Sequence, residues 1–135
     1  MMNELGFYTL AGQPKSPRDL IDEVRAGEAL GLGSAFISER FNVKEAATLS
    51  GAVGAASETL GIATAATNHT TRHPMVTATI ATTMHRLTDG RFSLGLGRGI
   101  DLLNGLYGIP TATMAQLEDI IGILRRLWHG DMVMG

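Results

Sequence analysis

The sequence predicts an α/β fold in which four consecutive βα units carry a parallel sheet. Three observations lead there. Short apolar or alternating segments take turns with longer segments of helical spacing, in the order β-α-β-α-β-α-β-α. Helix-start signals stand between them, at Ser16-Pro17, His73-Pro74 and Thr113 with Gln116. The 135 residues suit one core. Strict alternation argues for parallel strands joined by right-handed crossovers. Two architectures use it, an open doubly wound sheet and a (β/α)8 barrel. A complete barrel takes eight units and roughly 250 residues, and this chain has four.

The first strand is placed at 5–10 (LGFYTL), short, apolar and aromatic, and ending in AGQP. Ser16 then caps a helix with Pro17 at its first position, where no N–H donor is needed. Leu20, Ile21, Val24 and Leu30 form its apolar side, and Gly31 and Gly33 stop it. Residues 34–38 (SAFIS) read as the second strand. Asn42 is expected to cap the second helix, with Glu45 in the capping-box position. Ala46, Leu49, Val53 and Ala56 make its narrow, small-residue face. The third strand spans 60–66 (LGIATAA). The third helix follows from His73-Pro74, with Val76, Ile80, Met84 and Leu87 at helical spacing. Thr88-Asp89-Gly90 is a turn signal. The fourth strand covers 91–96, where Phe92, Leu94 and Leu96 alternate with Ser93 and Gly95. A glycine-rich loop is expected from Gly97 to the last helix. That helix opens on Thr113 and carries the stripe Leu117, Ile120, Ile121, Leu124, Leu127 and Trp128, and Gly130 ends it.

Composition narrows the function classes. The net charge of -2 gives no electrostatic footprint for nucleic acid or an anionic membrane. No run of about 18 apolar residues spans a bilayer, and no secretory signal opens the chain. The absence of Cys removes disulfides, thiolate metal sites and Cys nucleophiles together, and it fits a reducing cytoplasm.

In both architectures the working face lies at the C-terminal ends of the strands. That selects Tyr8 and Thr9, then Ser38, Glu39 and Arg40, then Thr67, Asn68 and His69, then Gly97, Arg98 and Gly99. Such side chains suit a polar small molecule or cofactor. The bland reading of Glu39 and Arg40 is a solvated surface pair. His69 and His73 share no helical face, so a two-histidine metal site is not expected. The run Gly95-Leu96-Gly97-Arg98-Gly99 misses the dinucleotide fingerprint, whose third glycine comes one residue later and opens directly into a helix. It reads as a loop needing positive φ, or as backbone approaching a ligand, with Arg98 available to an anionic group.

The stretches SAFISERF, GIATAATNHTTRHPMVTATIATTMHRLTDGRFSLGLGRG and QLEDIIGILRRLWHGDMV, in this order, resemble the bacterial-luciferase-like monooxygenase superfamily, nearest its deazaflavin (coenzyme F420)-dependent oxidoreductases. The resemblance implies a TIM barrel, of which this chain is the N-terminal half. It implies F420 as cofactor, with FMN the alternative. It places Glu39 near the deazaflavin and makes Thr64 to Thr67 a bulge, often with a non-prolyl cis peptide, that backs the cofactor ring. Thr67 and Asn68 are the implied polar contacts, and Arg98-Gly99 matches a cofactor-contacting pair. Some members carry a His after the acidic residue and a catalytic Glu after that pair. Here Arg40 and Ile100 stand at those positions, so the acid–base role and sugar-phosphate dehydrogenase chemistry do not carry over.

The expected function is therefore a flavin- or deazaflavin-dependent oxidoreductase acting on a small organic substrate by hydride transfer or oxygenation, in truncated form. The alternative is a non-catalytic half-barrel or a cofactor-binding module. Half a barrel leaves strand edges open, so self-association is expected in either case.

Overall fold

The computed structural model describes residues 2–133. Along the chain come β1 (Met2–Tyr8), α1 (Asp19–Ala29), β2 (Leu32–Ile37), α2 (Ala46–Ala56), β3 (Gly61–Thr64), β4 (Thr67–Asn68), a 3-10 turn (His69–Thr71), α3 (Pro74–Leu87), β5 (Phe92–Ser93), β6 (Leu96–Gly97), α4 (Asp101–Tyr107) and α5 (Met114–His129). The main sheet runs β1-β2-β3-β5 and every pairing is parallel. This is an α/β fold of repeated βα units, in keeping with half of a TIM barrel.

The third and fourth strands differ from their expected extents. Each is broken into two short pieces, β3 then β4 and β5 then β6, and β4 pairs with β6 in parallel. The Thr64 side chain causes the break. Its hydroxyl accepts from Gly95 N (2.7 Å) and donates to Gly95 O (2.8 Å), so side chain replaces backbone in the ladder. Gly95 must be glycine, because a Cβ there would collide with the Thr64 carbonyl oxygen. The Ala65-Ala66 peptide inside the break is cis.

Three further expectations are corrected. Asn42 does not cap α2; it sits in a left-handed turn at φ 69°. Glu45 is the cap, accepting from Ala47 N (2.7 Å) and Thr48 N (2.8 Å). Ser16 caps only a lead-in turn, through Arg18 N at 3.2 Å, and α1 begins at Asp19. The glycine-rich segment is not all loop, since α4 forms within it. Leu102, Leu103, Leu106 and Tyr107 of α4 are exposed and its buried residue is Asn104, so it carries no apolar period pointing inward. The last helix is as expected, with a reciprocal Thr113–Gln116 capping box.

Alternation along the strands sends one face to the helices. Ala35, Ile37 and Ile62 pack there with Leu20 and Val24 of α1 and Leu49 and Val53 of α2. A second core joins α3 and α5 through Ala78, Ile120 and Leu124. The opposite sheet face, a barrel's interior side, carries Gly6, Ser34 and Gly61 in one register row and Tyr8, Phe36 and Ala63 in the next. Tyr8 and Phe36 are 49% and 39% exposed. That face has no second layer among the described residues, and β1 and β5 each end the sheet.

Two charged side chains fasten the N-terminal ends of the strands. Arg91 donates to Thr88 O, Ser57 Oγ, Leu60 O, Ser57 O and Gly54 O at 2.8–3.3 Å. It thereby ties α2 and α3 to the start of β3. The Glu28 carboxylate accepts from the N–H groups of Glu58, Thr59 and Leu60 and from the Thr59 hydroxyl. Burial alone would raise the Glu28 pKa, but these donors together outweigh it and hold the carboxyl below its ordinary 4.5. A depressed carboxyl contributes stability in full above its unfolded value and loses it as pH falls through the folded one. The urea midpoint should therefore decline as pH drops below 4.5. Glu28→Gln should lower the midpoint at neutral pH and flatten the acid limb, read by urea unfolding at stepped pH.

Candidate functional site

The C-terminal ends of β2, β4 and β6 enclose a cavity of about 430 Å3. Its wall is built from Ser38, Glu39 and Phe41, from Ala65 to Asn68 at the break between β3 and β4, and from Gly97, Gly99 and Ile100. Parallel strands deliver these segments to one end of the sheet, as the alternation of elements requires. A groove of about 480 Å3 lies on the outer, helical side between α2 and α3.

Glu39 organises one wall. Its side chain is 5% exposed, and both carboxylate oxygens are engaged. One accepts from Thr67 Oγ1 (3.0 Å) and Asn68 N (3.4 Å). The other accepts from Ala46 N (3.0 Å) and Arg72 (3.1 Å). The partner of Glu39 is thus Arg72 rather than the adjacent Arg40, whose guanidinium donates to the Gly12 carbonyl. Arg72 also binds Glu45 (2.7 Å) and donates to Thr67 Oγ1 (2.8 Å). Burial would raise the Glu45 pKa, but bonds from Thr48, Ala47 and Arg72 outweigh it and lower the carboxyl.

Asn68 supplies the open valence. Its Oδ1 accepts from Thr70 N (2.9 Å) and Thr70 Oγ1 (2.7 Å), which starts the 3-10 turn. Its Nδ2 is buried and has no partner among the described residues. Gly99, at φ +77°, lies against it, and a Cβ there would stand 3.3 Å from Asn68 Nδ2 and 3.0 Å from Asn104. Asn104 pins this loop by donating to Arg98 O and Thr111 Oγ1, both at 3.0 Å. The neighbouring His69 also has a buried, unpartnered Nε2, and burial pushes its pKa down.

Of the five residues singled out from the sequence, Glu39, Thr67, Asn68 and Gly99 line one cavity. Arg98 is at the same end of the sheet, but its exposed side chain reaches Ala112 O (3.4 Å) instead of the cavity wall. Sequence reasoning missed Arg72 and Asn104. Arg72 is a lone cation in an otherwise uncharged loop between strand and helix, which was the available signal. Asn104 gave none.

The description Luciferase-like monooxygenase fits residues 2–134 as a family model. The chain belongs to the luciferase-like monooxygenase family. Within it, the chain is 32% identical over 146 aligned positions to an F420-dependent glucose-6-phosphate dehydrogenase of Nocardia farcinica, covering 96% of this chain and 43% of that protein. The chain thus spans less than half the length of that curated relative. Among solved structures, the oxygenating constituent of a 3,6-diketocamphane monooxygenase of Pseudomonas putida, in complex with FMN, superposes with a TM-score of 0.78. The identity is 22%, over 95% of this chain and 40% of the other. A coenzyme F420-dependent tetrahydromethanopterin reductase of Methanopyrus kandleri gives a TM-score of 0.70 at 22% identity, over 82% of this chain and 31% of the other. At these identities the structures share the fold, a luciferase-like barrel half.

Removing one member of a buried ion pair leaves the other charge without its partner. Glu39→Gln keeps the shape and removes the charge facing Arg72. Since Glu45 still holds Arg72, the cost should sit at the low end of such losses, about 3 kcal/mol. Urea unfolding checks it.

Proposed function

We propose that the chain carries the cofactor-binding region of an oxidoreductase that uses coenzyme F420, or alternatively FMN, to act on a small organic substrate. The observation that carries the reading is the buried, unpartnered Asn68 Nδ2 at the wall of the strand-end cavity. A buried donor without an acceptor is costly, and a flavin or deazaflavin ring presents carbonyl acceptors. The residues fit such a ring. Gly99 leaves room where a side chain would fill the wall, and the Glu39 charge is countered by Arg72. The relatives named for F420 and the FMN-bound neighbour support the same class.

In this reading Asn68, Thr67 and the backbone from Gly97 to Gly99 hold the cofactor. Glu39 and Arg72 fix Thr67 in place, and Arg98 stands at the rim for an anionic group. The cofactor supplies the hydride chemistry; the protein binds it and orients it. The partners are a small-molecule substrate and a second copy of the chain. A non-catalytic, self-associating half-barrel is the second reading, favoured by the uncovered sheet face with Tyr8 and Phe36 exposed on it.

Fluorescence titration of the chain with F420 and with FMN tests the proposal. Binding of one of them, weakened about tenfold by Asn68→Ala, is the expected result, and tenfold corresponds to a hydrogen bond of about 1.4 kcal/mol. Failure to bind either, in a folded chain that sediments as a dimer or larger species, favours the second reading.

A further inference from the structure

A second polar cluster adjoins the cavity where the sheet is uncovered. Tyr8 ends β1, and its hydroxyl meets Ser38 Oγ and accepts from Lys44 Nζ at 3.0 Å. Lys44 is 6% exposed. It donates its remaining hydrogens to Thr9 O (3.1 Å) and Leu10 O (3.2 Å), so all three of its donors are used. Its ammonium also stands 4.3 Å from the Tyr8 ring centroid. Arg40 is the other charge acting on Tyr8, and no carboxylate is among the groups that do. The bond from Lys44, then that from Ser38, lowers the Tyr8 pKa from its ordinary 10.0 against the opposing effect of burial.

A phenol oxygen has one proton and two acceptor sites. Lys44 fills one acceptor. When Ser38, itself part of the cavity wall, donates to the other, the phenol proton is left for a molecule lying over the exposed side of Tyr8, next to that wall. Arg40, the neighbouring charge, is turned away to the Gly12 carbonyl.

We propose that Tyr8, set by Lys44 and Ser38, is the proton donor and acceptor of this site for a carbonyl/alcohol substrate. The proposal rests on the oxidoreductase reading above. In the reducing direction a reduced deazaflavin or flavin, when bound, would supply a hydride to the carbonyl carbon. The C=O π pair moves onto oxygen, which takes the proton from Tyr8. The products are the alcohol, the oxidised cofactor and a Tyr8 phenolate held by Lys44. Water reprotonates the phenolate through its exposed side, and in reverse the phenolate takes the proton of the alcohol.

The chain has two tyrosines. Tyr8 and Tyr107 are 49% and 48% exposed, so exposure does not separate their reactivity. Tetranitromethane attacks the phenolate. At neutral pH it should nitrate Tyr8 several-fold faster than Tyr107, as read by peptide mass spectrometry. Lys44→Met should bring the ratio toward one. Ser38→Ala, which leaves Lys44 in place, should lower it by a smaller factor. Saturating F420 or FMN should protect Tyr8 and spare Tyr107. With cofactor bound, Tyr8→Phe should slow reduction of cyclohexanone by about 10²–10⁴-fold at unchanged cofactor affinity. Equal nitration of the two tyrosines in the parent chain overturns the proposal, as does a ratio that neither variant moves or an unaltered rate in Tyr8→Phe. Failure of the parent chain to bind either cofactor is read separately, by fluorescence, and overturns the oxidoreductase reading itself.

Discussion

The site depends on one buried carboxylate. Glu39 is almost wholly removed from water, and an ionised group in that position must be surrounded by donors or become neutral. Four donors from three elements meet that demand: the start of α2, the β4 strand and the turn before α3. Each is tied to the same two oxygens, so the spacing of these elements at the strand ends is set by a single side chain. Arg72 extends the constraint by bridging Glu39, Glu45 and Thr67. The cavity wall is therefore held by charge-assisted bonds, which are shorter and stronger than neutral ones.

How much of this was legible in the sequence follows from where the information sits. Strand and helix order was readable because Ala35, Ile37 and Ile62 alternate and the helices repeat apolar residues at three and four, though in α3 the expected Val76 and Leu87 are exposed and Thr77, Ala78, Ala81 and Met84 are buried. The break in strands three and four was not readable from the residues themselves. It rests on a threonine hydroxyl replacing ladder bonds across two strands, and such a bond joins residues 31 apart. Only the resemblance pointed to a bulge there. Helix α4 was missed for the opposite reason. Its apolar side chains face outward and its buried side chain is a polar asparagine, which inverts the usual signal. At the site, strand polarity located Glu39, Thr67, Asn68 and Gly99. The exchange of Arg40 for Arg72 as partner of Glu39 depends on tertiary approach across 33 residues, which adjacency in sequence cannot show.

The uncovered sheet face bears on what this stretch of chain does. On the helical side, aliphatic side chains fill the space between sheet and helices. On the other side, most positions are Gly, Ser or Ala, with Tyr8 and Phe36 standing above them. A closed barrel fills that space with side chains from alternate strands. The Phe36 ring lies over Gly6, where a Cβ would collide with it, yet Tyr8 and Phe36 stay part-exposed, so the face is shaped for further packing and not for solvent alone. The same space borders the cavity through Ser38 and Tyr8, so whatever covers the sheet also helps to enclose the site.

The two ends of the strands divide their tasks by how fully their polar groups are satisfied. At the N-terminal end, Arg91 places all its nitrogens on oxygens and Glu28 accepts from four groups, so this end is a fastening. At the C-terminal end the wall is equally well tied, but Arg40 Nε, Asn68 Nδ2 and His69 Nε2 are buried there without partners among the described residues. Folding tolerates such atoms only where other bonds over-determine the local structure, and the Glu39–Arg72 network does so here. Stability generated at one end and around Glu39 thus permits unsatisfied donors at the other. A polar ligand entering the strand-end cavity would complete bonds that the chain alone leaves unmade.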